Sequence, residues 1–163
     1  MKLRMAISGA LIATALASGA ATAAGAAATP DTHAHAQEGA AISALKLNAG
    51  KTWQTDAPLR KGMEAIRSAV AADKSAIHSG KITPARYAAL GATVETQVAF
   101  MIQNCKLPAA ADAQLHLIIA DLASGADAMK GKDSAARRTG AEKVVVALEA
   151  YGRHFDHPGW RAA

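Results

Sequence analysis

The chain has 163 residues, 51% hydrophobic and 4% aromatic, with a formal net charge of +5 and one cysteine. Its basic residues are scattered, with no run of four, which gives nucleic-acid binding no support. A single thiol cannot build an internal disulfide framework, so the core must hold by packing alone.

Lys2 and Arg4 lead into an apolar stretch from Met5 to Ala20, and Ala21-Thr22-Ala23 has the small-x-small pattern of a cleavage site. Residues 1–23 read as a secretory signal peptide, and the mature protein is expected in the periplasm. Without Lys2 and Arg4 the charge falls from +5 to +3, because residues 1–23 hold no acids. The apolar stretch is too short and too rich in Ala and Gly for a comfortable membrane span, and no later segment spans either. Residues 24–44 are Ala, Thr, Gly, Pro and polar residues, with His33 and His35 among them, and read as a flexible leader. Residues 45–163 are expected to form one domain. No strict apolar/polar alternation occurs, and no strands are expected.

Four amphipathic stretches follow, with apolar residues at the three-, four- and seven-residue steps of a helix. The first starts at Asp56, an N-cap residue type, with Pro58 in its first turn. Its face is Leu59, Met63, Ile66, Val70 and Ile77, and Gly80 closes it. The second starts at Thr83-Pro84 and presents Tyr87, Leu90, Val94, Val98, Met101 and Cys105. Pro108 ends it and opens the third, which carries Ala111, Leu115, Ile118, Ile119, Leu122 and Met129 and stops at Gly131. The fourth runs from about Asp133 to His154, with Ala141, Val144, Ala147, Leu148, Tyr151 and Phe155 on one face, and Pro158-Gly159 bars further helix. Links as short as Lys106-Leu107 and Gly131-Lys132 make neighbours antiparallel. The predicted fold is all-α, an antiparallel up-and-down four-helix bundle whose Ala-rich inner faces suit close packing.

That topology gathers the chain's chemistry at one end. The first helix brings Trp53, Asp56 and Met63, and the second brings Met101, Asn104 and Cys105. The third adds Asp112 and His116, and the fourth adds Tyr151, His154, Asp156, His157 and Trp160. Cys, His and Met are the donors that soft metals select. Cys105 and His116, completed by His154, His157, Met63 or Met101, could coordinate copper or zinc. Each residue also has a plainer reading. Cys105 could be a small buried hydrophobe, and Met63 and Met101 core filler. His116 could bond Asp112 one turn earlier, and the helix dipole alone favours His154. His157, before Pro158, could be a solvated loop residue. No CxxC, HExxH or finger spacing is present. Trp53 and Trp160 are expected to cap this end from the leader and the tail.

The C-x-x-C-H sequence of covalent haem is missing. Met63 near the start of the first helix and His154 near the end of the last are suited to axial ligation of a non-covalent haem. In this the chain resembles the soluble periplasmic b-type and c-prime-type cytochrome bundles, over Leu59–Val70 and Leu148–Phe155. The resemblance implies haem b held by Met63 and His154. The chain departs from it at Gly152, which follows Tyr151 where the b-type family has its His. A closer resemblance rests on Leu47-Asn48-Ala49-Gly50-Lys51-Thr52-Trp53, Thr55-Asp56-Ala57-Pro58-Leu59-Arg60 and Asn104-Cys105-Lys106-Leu107. Asp112 with Leu115-His116, and the stretch Tyr151–Trp160, complete it. Over these stretches the domain from about residue 45 is similar to a group of small, exported, poorly characterised bacterial helical-bundle proteins. That likeness implies fold and compartment, and no activity.

Nucleophile-elbow, phosphate-loop and dinucleotide fingerprints are missing, and Glu64 and Glu95 are expected to be solvated. No enzymatic activity is expected. Three readings stay open. One is a periplasmic metal-binding protein, copper first, that sequesters the ion or passes it to a partner protein. The others are a haem-b electron carrier and a ligand-free structural or partner-binding bundle. A lone thiol also permits a homodimer linked through Cys105.

Overall fold

The computed structural model describes residues 40–161. The element order is α1 (Ala40–Ser43), β1 (Trp53–Gln54), α2 (Ala57–His78), α3 (Pro84–Asn104), α4 (Ala109–Lys130), α5 (Ser134–His154) and β2 (Phe155–Asp156). The fold is an all-α helical bundle with one short strand pair. The expected signal peptide and most of the expected leader lie outside the described residues. Its last residues hold α1, whose Ile42 packs against the core, as Leu45 does.

Local chemistry explains the helix ends. Asp56 caps α2 by accepting from the Leu59 N–H at 2.8 Å, Thr83 caps α3 through the Arg86 N–H, and Asp133 caps α5 through the Ala136 N–H. Pro58 and Pro84 sit in first turns, where a missing N–H costs nothing. After α2 the Lys81 N–H reaches the Ala76 carbonyl and the Gly80 N–H reaches that of Ile77, a Schellman motif that needs Gly80 at φ +65°. Gly131 ends α4 differently, at φ −63°, and Arg137 donates to the Gly131 and Lys132 carbonyls.

The predicted apolar faces are the core. Leu59, Met63, Ile66, Met101, Ile118, Leu122, Val144, Leu148 and Tyr151 are all closed to solvent. Each long helix packs chiefly on the ones before and after it, most closely for α4 on α5, whereas α2 and α5 meet sparingly. Glycines set the closest approach. A Cβ at Gly140 would lie 2.6 Å from the Gly125 carbonyl oxygen, and one at Gly125 would lie 2.7 Å from that of Gly140.

Ion pairs reinforce these seams. Asp73, 8% exposed, accepts from Arg86 Nε at 2.8 and 2.9 Å. Glu95 on α3 pairs with Lys130 on α4, while Glu64 pairs with Arg67 within α2. Both glutamates are open to solvent, as the sequence suggested, and each also holds an ion-pair partner.

The strand pair was not expected either. β1 and β2 run parallel, with Trp53 opposite Phe155 and Gln54 opposite Asp156. Strands of two residues have no periodicity to read. They form because the chain entering α2 and the chain leaving α5 lie side by side. Among the described residues no helix is long and apolar enough to cross a membrane.

Candidate functional site

The strand pair marks one end of the bundle, and three distant parts of the chain meet there. The Asp56 carboxylate does two jobs. One oxygen caps α2, and the other accepts the Lys106 N–H at 2.7 Å, from the link between α3 and α4. Thr55 Oγ1 donates to the Asp156 carbonyl at 2.6 Å, and Arg60 Nη1 holds the Thr55 carbonyl at 2.7 Å. The entry to α2 is therefore tied both to the α3–α4 link and to the tail.

Cys105 is the C-cap of α3 and is half-buried. Its thiol is pushed up to about 12 by burial, then by the charge of Asp56, to which it also hydrogen-bonds, and then by the charge of Asp112. It is a protonated thiol at neutral pH.

Tyr151 lies inside this end with no exposure. It stacks on Phe155 at 5.2 Å and meets Trp160 edge-on at 4.8 Å. Its hydroxyl shares a 3.0 Å hydrogen bond with His157 Nδ1. Burial raises the phenol well above its ordinary value, against the opposing charge of Arg60. Burial also lowers His157, with Glu64 opposing and Arg60 and Arg67 assisting, so the imidazole is neutral at pH 7. His157 is thus a docked side chain, where the sequence left open a solvated one. Trp160 rests 5.0 Å from it, over Gly152, where a Cβ would come within 2.5 Å of the indole nitrogen. Position 152 has no side chain because the Trp160 ring occupies its space. Trp53, whose Nε1–H donates to the Lys46 carbonyl at 2.6 Å, also packs on the core.

The other sequence candidates divide. Met63 and Met101 are fully buried, and a Cβ on Gly62 would lie 2.8 Å from the Met101 sulfur. His154 is half-buried and its Nδ1 bonds the Ala150 carbonyl at 2.8 Å. His116 is exposed, with Nδ1 2.9 Å from the Asp112 carbonyl and 3.4 Å from its carboxylate. Asp112 thus acts on both Cys105 and His116. Among the described residues no three His, Cys, Asp or Glu side chains group closely enough to hold a metal ion.

Sequence reasoning gathered Asp56 and Tyr151 at this end, as a cap and a core residue, and gave Arg60 no role there. The further role of Asp56 depends on a contact 50 residues away, with Lys106, and those of Arg60 and Tyr151 on side-chain contacts to Thr55 and His157 that have no periodic signal. Comparison with protein-family models, with curated proteins and with solved structures finds no match to this chain.

Proposed function

We propose that the chain is an exported, periplasmic, non-enzymatic protein that binds one soft metal ion, copper(I) ahead of zinc, at the Asp56–Cys105–Tyr151 end. Its role is sequestration or transfer to a partner protein. The bundle is antiparallel and up-and-down. Supporting this, Gly62 early in α2 lies against Met101 late in α3, and Arg86 early in α3 bonds Asp73 late in α2. Gly125 late in α4 faces Gly140 early in α5.

The observation that carries the metal reading is the placement of the only thiol, half-buried at the α3 C-cap, beside the Asp56 carboxylate that accepts the next residue's N–H at 2.7 Å. Two carboxylates beside a thiol penalise its bare anion. The same field stabilises a cation bound there, so an arriving ion displaces the thiol proton. Met101, one turn back on α3, supplies a thioether, and His116, His154 and His157 supply imidazoles. In His116 and His154 the preceding turn's carbonyl takes Nδ1–H. That leaves Nε2 as the lone-pair donor, the tautomer that ligates metals.

A ligand-free, partner-binding bundle is the second reading. It is favoured by Ile102 on α3, a large apolar side chain left 62% exposed, where a partner could cover it.

The test is a Cu(I) titration of the mature protein against a competing chelator, with an absorption spectrum. Cys105→Ser and Asp56→Asn serve as variants, the latter keeping the α2 cap on its single side-chain oxygen while removing the charge and the acceptor for the Lys106 N–H, with far-UV circular dichroism to check that it folds. One Cu(I) per chain is expected, lost in Cys105→Ser and weakened about tenfold or more in Asp56→Asn, because charge–charge energies at a half-buried site reach that size. A Soret band would move the assignment to haem b on Met63 and His154. No metal uptake and no colour would leave the partner-binding bundle.

A further inference from the structure

The chain that leaves α5 doubles back on that helix. A turn at Pro158-Gly159 is closed by the Trp160 N–H, which donates to the His157 carbonyl at 3.0 Å, and Gly159 has φ +79°. Proline followed by a residue at positive φ is the signature of a type II turn, and glycine takes the second position without strain. The turn lays the Trp160 indole over Gly152, where a Cβ would lie 2.5 Å from Nε1 and 2.6 Å from Cδ1. Position 152 is therefore a seat for the ring, and a methyl group there would expel it.

The docked ring covers Tyr151, but it is not held firmly. Its Nε1 is enclosed and meets no hydrogen-bond acceptor among the described residues. An enclosed donor without an acceptor weakens the docked state, and undocking returns it to water. The segment's other ties are the two-residue strand β2, the Tyr151–His157 hydrogen bond, and the exposed bonds of Gln54 and Thr55 to Asp156. A segment held by exposed hydrogen bonds and a few ring contacts opens locally before a helical core unfolds. The thiol is tied to the same structure. Cys105 hydrogen-bonds Asp56, whose neighbour Thr55 holds the Asp156 carbonyl, and it lies close enough to Tyr151 for the two groups to interact electrostatically.

We propose that residues 157–160 are a latch, with Trp160 seated on Gly152, whose opening governs access to Cys105. Closed, it keeps the thiol half-buried. Open, it exposes the thiol and Tyr151 while the four long helices stay folded. As a regulator of metal entry the latch rests on the reading above. The latch itself is tested on metal-free protein, so either can fail without the other.

The experiment follows alkylation of Cys105 by iodoacetamide in the metal-free mature protein, read by mass spectrometry. Variants are Gly152→Ala, Trp160→Ala and the two combined, each checked for folding by far-UV circular dichroism. The wild type should react far more slowly than the urea-unfolded chain, with a rate nearly flat at low urea, because a latch exposes little surface. Each single variant should react about tenfold faster or more, and the double variant no more than about twofold beyond the faster single, since both remove one contact. Gly152→Ala should do so although alanine favours a helix. Gly140→Ala, twelve residues earlier on α5, should stay within about twofold of the wild type, because it disturbs packing away from the latch. Single variants that react at the wild-type rate, single effects that multiply in the double variant, or acceleration in Gly140→Ala equal to that in Gly152→Ala would overturn the latch. So would a wild-type rate that climbs with urea as steeply as global unfolding, a measurement that needs no variant to fold.

Discussion

Gly140→Ala tests the closest packing in the fold, and propensity and packing give it opposite signs. Alanine in a helix interior is favoured over glycine by about 1 kcal/mol, so propensity alone predicts stabilisation. The structure opposes that. The new methyl would lie 2.6 Å from the Gly125 carbonyl oxygen, 2.8 Å from Ala128 Cβ and 3.1 Å from the Met129 backbone nitrogen. Two of these neighbours are backbone, so no side chain can swing away, and α5 must move off α4. Overpacking of this kind costs about 3 kcal/mol at the upper end of its usual range, which leaves about 2 kcal/mol of net destabilisation after the helix gain. Urea unfolding followed by circular dichroism measures it, and the melting temperature should fall by roughly 6–10 °C for a domain of this size. Gly125 faces the same contact from the other helix. The double variant should therefore cost clearly less than the two single losses added, since the first displacement makes room for the second. A melting temperature that is unchanged or raised in Gly140→Ala would refute the close-contact account of the α4–α5 seam.

Two further predictions concern the turn and the thiol. Ala49 is the one described non-glycine residue at positive φ, at 50°, in the Asn48–Lys51 turn, so Ala49→Asn should stabilise the protein by about 0.5–1 kcal/mol in the same urea assay. The folded state holds Cys105 protonated up to about 12, above its ordinary 9.0, and that contribution is fully present below pH 9.0 and lost as pH rises toward 12. Stability of the wild-type protein should therefore fall more steeply than that of Cys105→Ser across this alkaline window, and parallel curves would count against the buried, acid-flanked thiol.

The helices were legible because their signals are local. Asp56, Thr83 and Asp133 cap helices through residues three positions on, and the apolar faces follow from a period that any short window contains. The candidate site was legible only as a region. Asp56 reads as a cap in the sequence, yet its second oxygen serves Lys106, 50 residues away, and nothing local reports that. The same holds for Glu95, whose partner Lys130 lies on another helix. The strand pair and the docking of Trp160 over Gly152 depend on the two ends of the domain meeting. Gly152 in a helix otherwise free of breakers near its end was the one visible sign that something must approach there.

The cleft between α2 and α5, lined in part by Val70, Ile77, Val145 and Val146, did leave a trace that the periodic reading passed over. Val144-Val145-Val146 is the only run of three consecutive β-branched residues in the four long helices. Successive helical positions turn by 100°, so three in a row sweep far beyond a single core-facing stripe. Val144 takes the core with no exposure, Val145 packs partly against it, and Val146 faces outward. An exposed β-branched residue gains nothing in helix propensity over Ala, which this chain uses freely elsewhere. Its placement in the lining of the cleft, with Val70 and Ile77, gives the third valine a physical reason: the apolar surface of α5 is wider than its contact with α4 requires, and the excess lies where α2 stands off.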